Sequence, residues 1–128
     1  MSKLIETMKN QPNFYAEEET TSAQIAQAEK SLGLHFASDF KEYLRAFGAA
    51  SFNGHELTGF SADKNLDIVN VTRKNQQKCN VRKSLYVIEE AHIDGIVLWQ
   101  DADGTVYKTD RNAKATKIAN SLLEYITR

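Results

Sequence analysis

This chain holds one cysteine, one proline and almost no net charge. A lone Cys79 cannot close an internal disulfide, so a reduced, intracellular protein is the simplest reading. The formal net charge of -1 excludes the broad basic field of a general nucleic-acid binder. Apolar runs are only a few residues long, so no segment is expected to span a membrane. The opening MSKLIETMKN is short and amphipathic, unlike a basic-then-apolar leader. A cytoplasmic location is therefore expected, with neither nucleic acid nor membrane as a direct partner. Histidine is scarce as well: His35, His55 and His92 lie far apart, with no i,i+4 pair and no HxxEH-like spacing. A zinc site needs several such ligands in fixed geometry, so no metal is expected, and the three read as ordinary surface or core histidines.

What remains is an ordinary globular composition, 41% apolar and 26% charged, over 128 residues. That length predicts one domain, residues 1–128. Leu4, Ile5 and Met8 share one face of a first helix over Lys3 to Lys9, ended near Pro12. Glu17, Glu18 and Glu19 read as a solvated linker. Thr21 with Gln24 fits a capping box, and Ile25, Ala28 and Leu32 recur at helical spacing up to Gly33. Ser38 is expected to cap a third helix, with Asp39 in its first turn, a buried stripe of Phe40, Tyr43, Leu44 and Phe47, and an end at Gly48. These two helices make a helical hairpin.

After Gly48 the period changes to two. Asn53-Gly54 predicts a hairpin turn between Phe52 and His55. A helix is expected from about Asp67. SLYVIEE then places Leu85, Val87 and Glu89 on one side of a strand and Tyr86 and Ile88 on the other. GIVLWQ is apolar on both faces, which predicts a central strand with Trp99 buried. TVYKTD alternates, and the DADG turn before it, with Asp103-Gly104 at its tip, fixes an antiparallel pair. Ile118, Leu122, Tyr125 and Ile126 form one stripe of a terminal helix. The expected class is α+β: a small, mainly antiparallel sheet flanked by helices, with an N-terminal helical hairpin and a C-terminal helix.

Reactive chemistry is thin. Cys79 lies between Lys78 and Arg82, but no local signature supplies a positioned base. In DADGTVYKTD a glycine follows only two aspartates, which fits a polar hairpin turn and not an EF-hand loop. GAASFNG follows a helix and lacks the lysine of a phosphate loop. Glu89 and Glu90 are adjacent on a strand, so they point to opposite faces and cannot work as an acid–base pair; a solvated edge is expected. No catalytic residue and no cofactor are expected. Charge is nevertheless uneven. From Glu89 to Asp110 there are six acids, Glu89, Glu90, Asp94, Asp101, Asp103 and Asp110, against Lys108 alone. The second hairpin is thus expected to form an acidic ridge, either a solvated face or a docking surface for a basic partner.

The stretch AEKSLGLHFASDFKEYLRAFGAASFNGHELTGF resembles the signature of the SUKH superfamily, which includes yeast cell-wall-synthesis regulators and many bacterial immunity proteins against polymorphic toxins. Ala28-Glu29, Leu32-Gly33, Asp39, Phe40-Lys41, Tyr43-Leu44, Gly48, Phe52-Asn53-Gly54 and Leu57 carry the resemblance. LYVIEE, VLWQDADGTVYKTD and a terminal helix near ANSLLEYI follow in family-like order. Two places depart from it: Phe36-Ala37 where the family often has Leu-Pro, and Gly48-Ala49-Ala50 where it often has a double glycine. The resemblance implies a non-enzymatic protein-binding module, in bacteria usually a cytosolic immunity protein that blocks a toxin domain, often a nuclease. A housekeeping interaction module of the same fold is the alternative, followed by a small ligand-binding protein or enzyme. The candidate partner-binding residues come from this sequence alone: Phe52 and His55 near the glycine turn, and Glu89, Glu90, Asp94, Asp101 and Asp103. A monomer or weak homodimer is expected.

Overall fold

The computed structural model describes residues 2–111 and 114–128. Helix α1 (Lys3–Lys9) starts where the Ser2 hydroxyl accepts from the Ile5 N–H, and it buries Leu4, Ile5 and Met8. In α2 (Ser22–Leu32) the expected capping box is present: Thr21 Oγ1 accepts from the Gln24 N–H, and Gln24 Oε1 accepts from the Thr21 N–H. The helix stops at Gly33, whose φ of 68° lets two successive N–H groups turn back onto the Glu29 carbonyl. Helix α3 (Ser38–Phe47) buries Phe40, Tyr43, Leu44 and Phe47. Burying a side chain of that size contributes about 1.5–3 kcal/mol.

Ser38 does not cap α3. The N-cap is Ala37, which has no side chain to do so. Tertiary contacts instead fix the chain entering the helix: the Ala37 N–H donates to the Tyr86 hydroxyl at 2.9 Å and the Phe36 N–H to Glu29 Oε2 at 2.8 Å. At the other end Gly48 is required by crowding. A Cβ there would lie 2.2 Å from the Glu18 carbonyl oxygen, and one on Gly59 would lie 2.0 Å from the Gly48 carbonyl oxygen.

Strands β1 (Tyr15–Ala16), β2 (Ala50–Phe52) and β3 (His55–Glu56) form an antiparallel sheet in that order. Asn53 and Gly54, at φ 45° and 81°, make the predicted hairpin turn, and Phe52 pairs with His55. The linker reading missed β1, which is held on β2 next to a bond from the Glu17 N–H to the Ala49 carbonyl. Helix α4 (Ile68–Lys78) begins at Asp67, as expected, with the Asp67 carboxylate accepting from the Asn70 N–H.

Strands β4 (Tyr86–Glu90), β5 (Val97–Gln100), β6 (Val106–Thr109) and β7 (Thr116–Ala119) form a second antiparallel sheet in chain order. A bridge between Leu57 and Glu89 and a bond from the Thr58 N–H to the Ile88 carbonyl join it to the first. Helix α5 (Leu122–Thr127) follows, capped by Ser121. The expected terminal helix is thus shorter than its stripe suggests, because Ile118 belongs to β7.

The α+β class stands, with helices near both ends of the chain. Tyr86, Ile88, Leu98 and Val106 face the large core shared with α1, α2, α3 and α5. Leu85, Val87, Val97 and Trp99 point the other way and meet Val71 of α4. Trp99 is buried on the inner strand β5, and its indole N–H donates to Thr109 Oγ1 at 2.9 Å. A register shift decides where Glu89 points. Between Val87 and Glu89 the ladder with β5 slips, so Ile88 is extra, and Glu89 turns to the face opposite the one alternation predicts.

Asp39 ties distant segments together. Its Oδ1 accepts from Gln100 Nε2 at 3.0 Å and its Oδ2 from the Leu122 N–H at 2.9 Å, so one carboxylate joins α3, β5 and α5.

Candidate functional site

Because of the register slip, Glu89 lies beneath the first hairpin instead of on a solvated edge. It is 5% exposed. Its Oε1 accepts from the Tyr125 hydroxyl at 2.5 Å and from His55 Nδ1 at 2.9 Å, and its Oε2 accepts from the Glu56 N–H at 2.8 Å. Burial would raise this carboxyl; the hydrogen bonds from His55, Tyr125 and the Glu56 N–H outweigh it and hold the group below the usual carboxylate range. The same bond to Glu89 raises His55 against the opposing effect of burial. Burial, then the Glu89 charge, pushes the Tyr125 phenol up, so Tyr125 keeps its proton and donates it. His55 is thus fixed with Nδ1 toward Glu89, and Nε2 makes no hydrogen bond among the described residues.

Above this triad lies a groove of about 380 Å³. Phe52, His55, Glu89 and Glu90, four of the seven candidate residues, line it together with His92. Its rim is strained. Among the described residues four non-glycine residues have positive φ: Asn13, Asn53, His92 and Asp94. The first three line the groove, and Asp94 is in the same turn as His92. Backbone held in sparsely populated regions gathers where surrounding structure enforces a shape, and that marks the groove as the candidate site.

The other candidates fall differently. Phe52 is buried, so it floors the groove without offering a contact surface. Glu90 points to the opposite face from Glu89, as expected for neighbours on a strand, and meets Lys74 at 3.1 Å and Asn75 at 2.9 Å. Asp94 is exposed in the β4–β5 turn. Asp101 and Asp103 lie at the other end of β5, so the acids do not form one ridge. Asp101 is largely spent inside its own turn: its Oδ1 accepts from the N–H groups of Asp103 and Thr105, and its Oδ2 from the Tyr107 hydroxyl, with Arg82 at 3.5 Å. Only Asp103 is freely displayed at that end.

Cys79 is half-buried and lines a neighbouring hollow of about 320 Å³ with Lys78, His92 and Arg111. No hydrogen bond joins it to a base among the described residues. Among the same residues no group of three or more His, Cys, Asp and Glu is placed to hold a metal ion, and no helix is long and apolar enough to cross a membrane.

A family model described as SUKH_5: SMI1-KNR4 cell-wall matches residues 1–128. The chain belongs to the SUKH family. No curated protein matches this SUKH chain. A crystal structure of a protein from Pseudomonas syringae pv. tomato superposes with a TM-score of 0.79 at 17% identity, over 99% of this chain and 96% of the other. That likeness concerns the fold.

For this SUKH chain the sequence reading missed the Glu89–His55–Tyr125 triad. Three residues drawn from three segments gave no spacing to find. One signal was available: Glu89 continues an apolar run, LYVI, where an unpaired carboxylate is costly, so a buried partner set was implied.

Proposed function

We propose that this protein is a non-enzymatic protein-binding module, a cytoplasmic immunity protein that binds and neutralises a toxin domain, and that the groove over His55 is its contact surface. One domain over residues 1–128 carries this role. SUKH membership supports the binding class. The observation that carries the choice of surface is the groove itself, where His55 and the carboxylate of Glu89 lie over a floor of Phe52 and under a rim of positive-φ residues. Asp94, exposed in the turn next to His92, adds negative charge beside the groove; Asp103 lies at the far end of β5, where Asp101 supports its turn from within. A basic partner, such as the phosphate-holding face of a nuclease, suits that charge.

The test is co-purification with the protein encoded beside this one, followed by an activity assay of that protein. A stable complex with loss of toxicity is expected. A neighbouring toxin that neither binds nor is blocked removes the immunity reading. The matched family's cell-wall description favours a second reading, an interaction module serving another intracellular protein. It predicts a partner that is not a toxin and is encoded elsewhere.

A further inference from the structure

We infer that the partner enters with a basic side chain, an arginine or lysine on an extended segment, seated beside Tyr15 and continuing over His55. The inference rests on the protein-binding reading and specifies what is bound.

Tyr15 is the first observation. It is 61% exposed and, with Ile93, is one of two large apolar side chains left exposed among the described residues. Tyr15, Ser51 and Glu56 stand in one row across β1, β2 and β3, since Tyr15 pairs with Ser51 and Ser51 with Glu56. Strand alternation buries Ala50 and Phe52 and leaves this row outward. Beside it is a hollow of about 180 Å³ lined by Tyr15, Glu17, Ser51, Glu56 and Leu66. This hollow neighbours the groove over His55, and Ser51 and Glu56 line both.

Charge is the second. Four carboxylates line these two hollows, Glu17, Glu56, Glu89 and Glu90, and no lysine or arginine does. Glu89 and Glu90 are already held by His55 and Lys74. Glu17 and Glu56 are exposed and take part in no ion pair among the described residues. An aromatic face attracts a cation, and unpaired carboxylates accept charge-assisted hydrogen bonds from it. An anionic or nucleic-acid occupant meets repulsion at the same place. The third hollow, adjoining the groove across Glu90 and His92, contains both Lys78 and Arg111. Glu90 and Asp110 line that hollow beside the two cations and balance them, whereas Glu17 and Glu56 at Tyr15 face none, so the basic end of the segment lies at Tyr15.

The experiment titrates the full chain with a short fluorescein-labelled peptide alternating arginine and glycine, and with a glutamate–glycine control. Binding is read by anisotropy and by amide chemical shifts. The arginine peptide should bind and move the resonances of Tyr15, Glu56 and His55, and the control should not. Combining Tyr15→Ala, Glu17→Gln and Glu56→Gln should weaken binding about tenfold, since the expected losses are individually modest. All three residues are exposed, and Glu56→Lys alone serves as a second variant if the triple change disturbs the fold. Equal binding of parent and variants, or of both peptides, overturns the inference. A toxin domain that binds the variants as tightly as the parent overturns it too, while leaving the protein-binding reading in place. No complex with the parent overturns that reading itself.

Discussion

The two ends of the four-stranded sheet carry similar acids and use them in opposite ways. At the β5–β6 end Asp101 closes its own turn, accepting from two backbone N–H groups and the Tyr107 hydroxyl. That end is self-contained. At the β4–β5 end Glu89 reaches across to the first hairpin and to α5, binding three groups from two other segments. The rim around it is strained, and a groove stays open above it. A carboxylate satisfied locally makes a stiff turn; one satisfied at long range makes a scaffold on which a hollow can be held. Counting acids along the chain does not separate the two cases, because what matters is how many donors each has already taken.

The largest effect that tests this contrast is Glu89→Ala. It strands the His55 ring, the Tyr125 hydroxyl and the Glu56 N–H at once. Breaking a buried pair on one side costs about 3–5 kcal/mol. Urea denaturation should show a loss of that order, and a loss below about 1 kcal/mol would place Glu89 among ordinary surface acids.

Asp101→Ala should cost less, about 1–3 kcal/mol, since its stranded donors are partly solvated. Its effect should stay local. Amide exchange should quicken in residues 101–107 and leave the first hairpin unchanged, whereas Glu89→Ala should quicken both hairpins. Equal spread from the two variants would dissolve the distinction between the ends.

The third effect is pH dependence. His55 is raised above its ordinary 6.5, so its contribution is full below 6.5 and is lost as pH climbs through the raised value. Glu89 is lowered below its ordinary 4.5, so its contribution is full above 4.5 and is lost as pH falls through the lowered value. Both are present between those two ordinary values. Stability measured against pH should therefore fall from mildly acid toward alkaline conditions, and His55→Gln should flatten that limb. Asp101→Ala should leave its slope untouched.

Smallest is Asp103→Lys. Asp103 is exposed at the turn tip, so stability should change by no more than about 0.5 kcal/mol. Association with a basic partner should slow only slightly and should recover with added salt, as expected of a charge outside the contact. A slowing greater than that of Glu56→Lys would move the docking surface to the self-contained end.

Much of this fold was legible in the sequence, and the misses have local causes. The capping box at Thr21, the Gly33 terminus, the Asn53-Gly54 turn, the Asp67 start and the buried Trp99 each follow from chemistry within a few residues. Strand β1 escaped because two residues carry no period. Strand β7 escaped because Ile118 lies four residues before Leu122 and so mimics a helical stripe. The Ala37 cap escaped because it is fixed from far along the chain, where Tyr86 accepts the Ala37 N–H. The candidate site was half legible: four of its residues converge on one groove, but the slip at Ile88 that turns Glu89 inward leaves no mark in the alternation of LYVIEE.

Helix α5 has a consequence for the order in which this molecule can be made. Its first turn donates to Asp39 at one end of the sheet, and its Tyr125 donates to Glu89 at the other. The partners are 83 and 36 residues apart along the chain. During synthesis both carboxylates leave the ribosome long before the groups that complete their hydrogen bonding. A nascent chain lacking α5 therefore holds a sheet incompletely satisfied at both ends, and the groove over His55 rests on a carboxylate missing one of its three donors. The groove over His55 is therefore completed only after α5 has emerged and Tyr125 has reached Glu89.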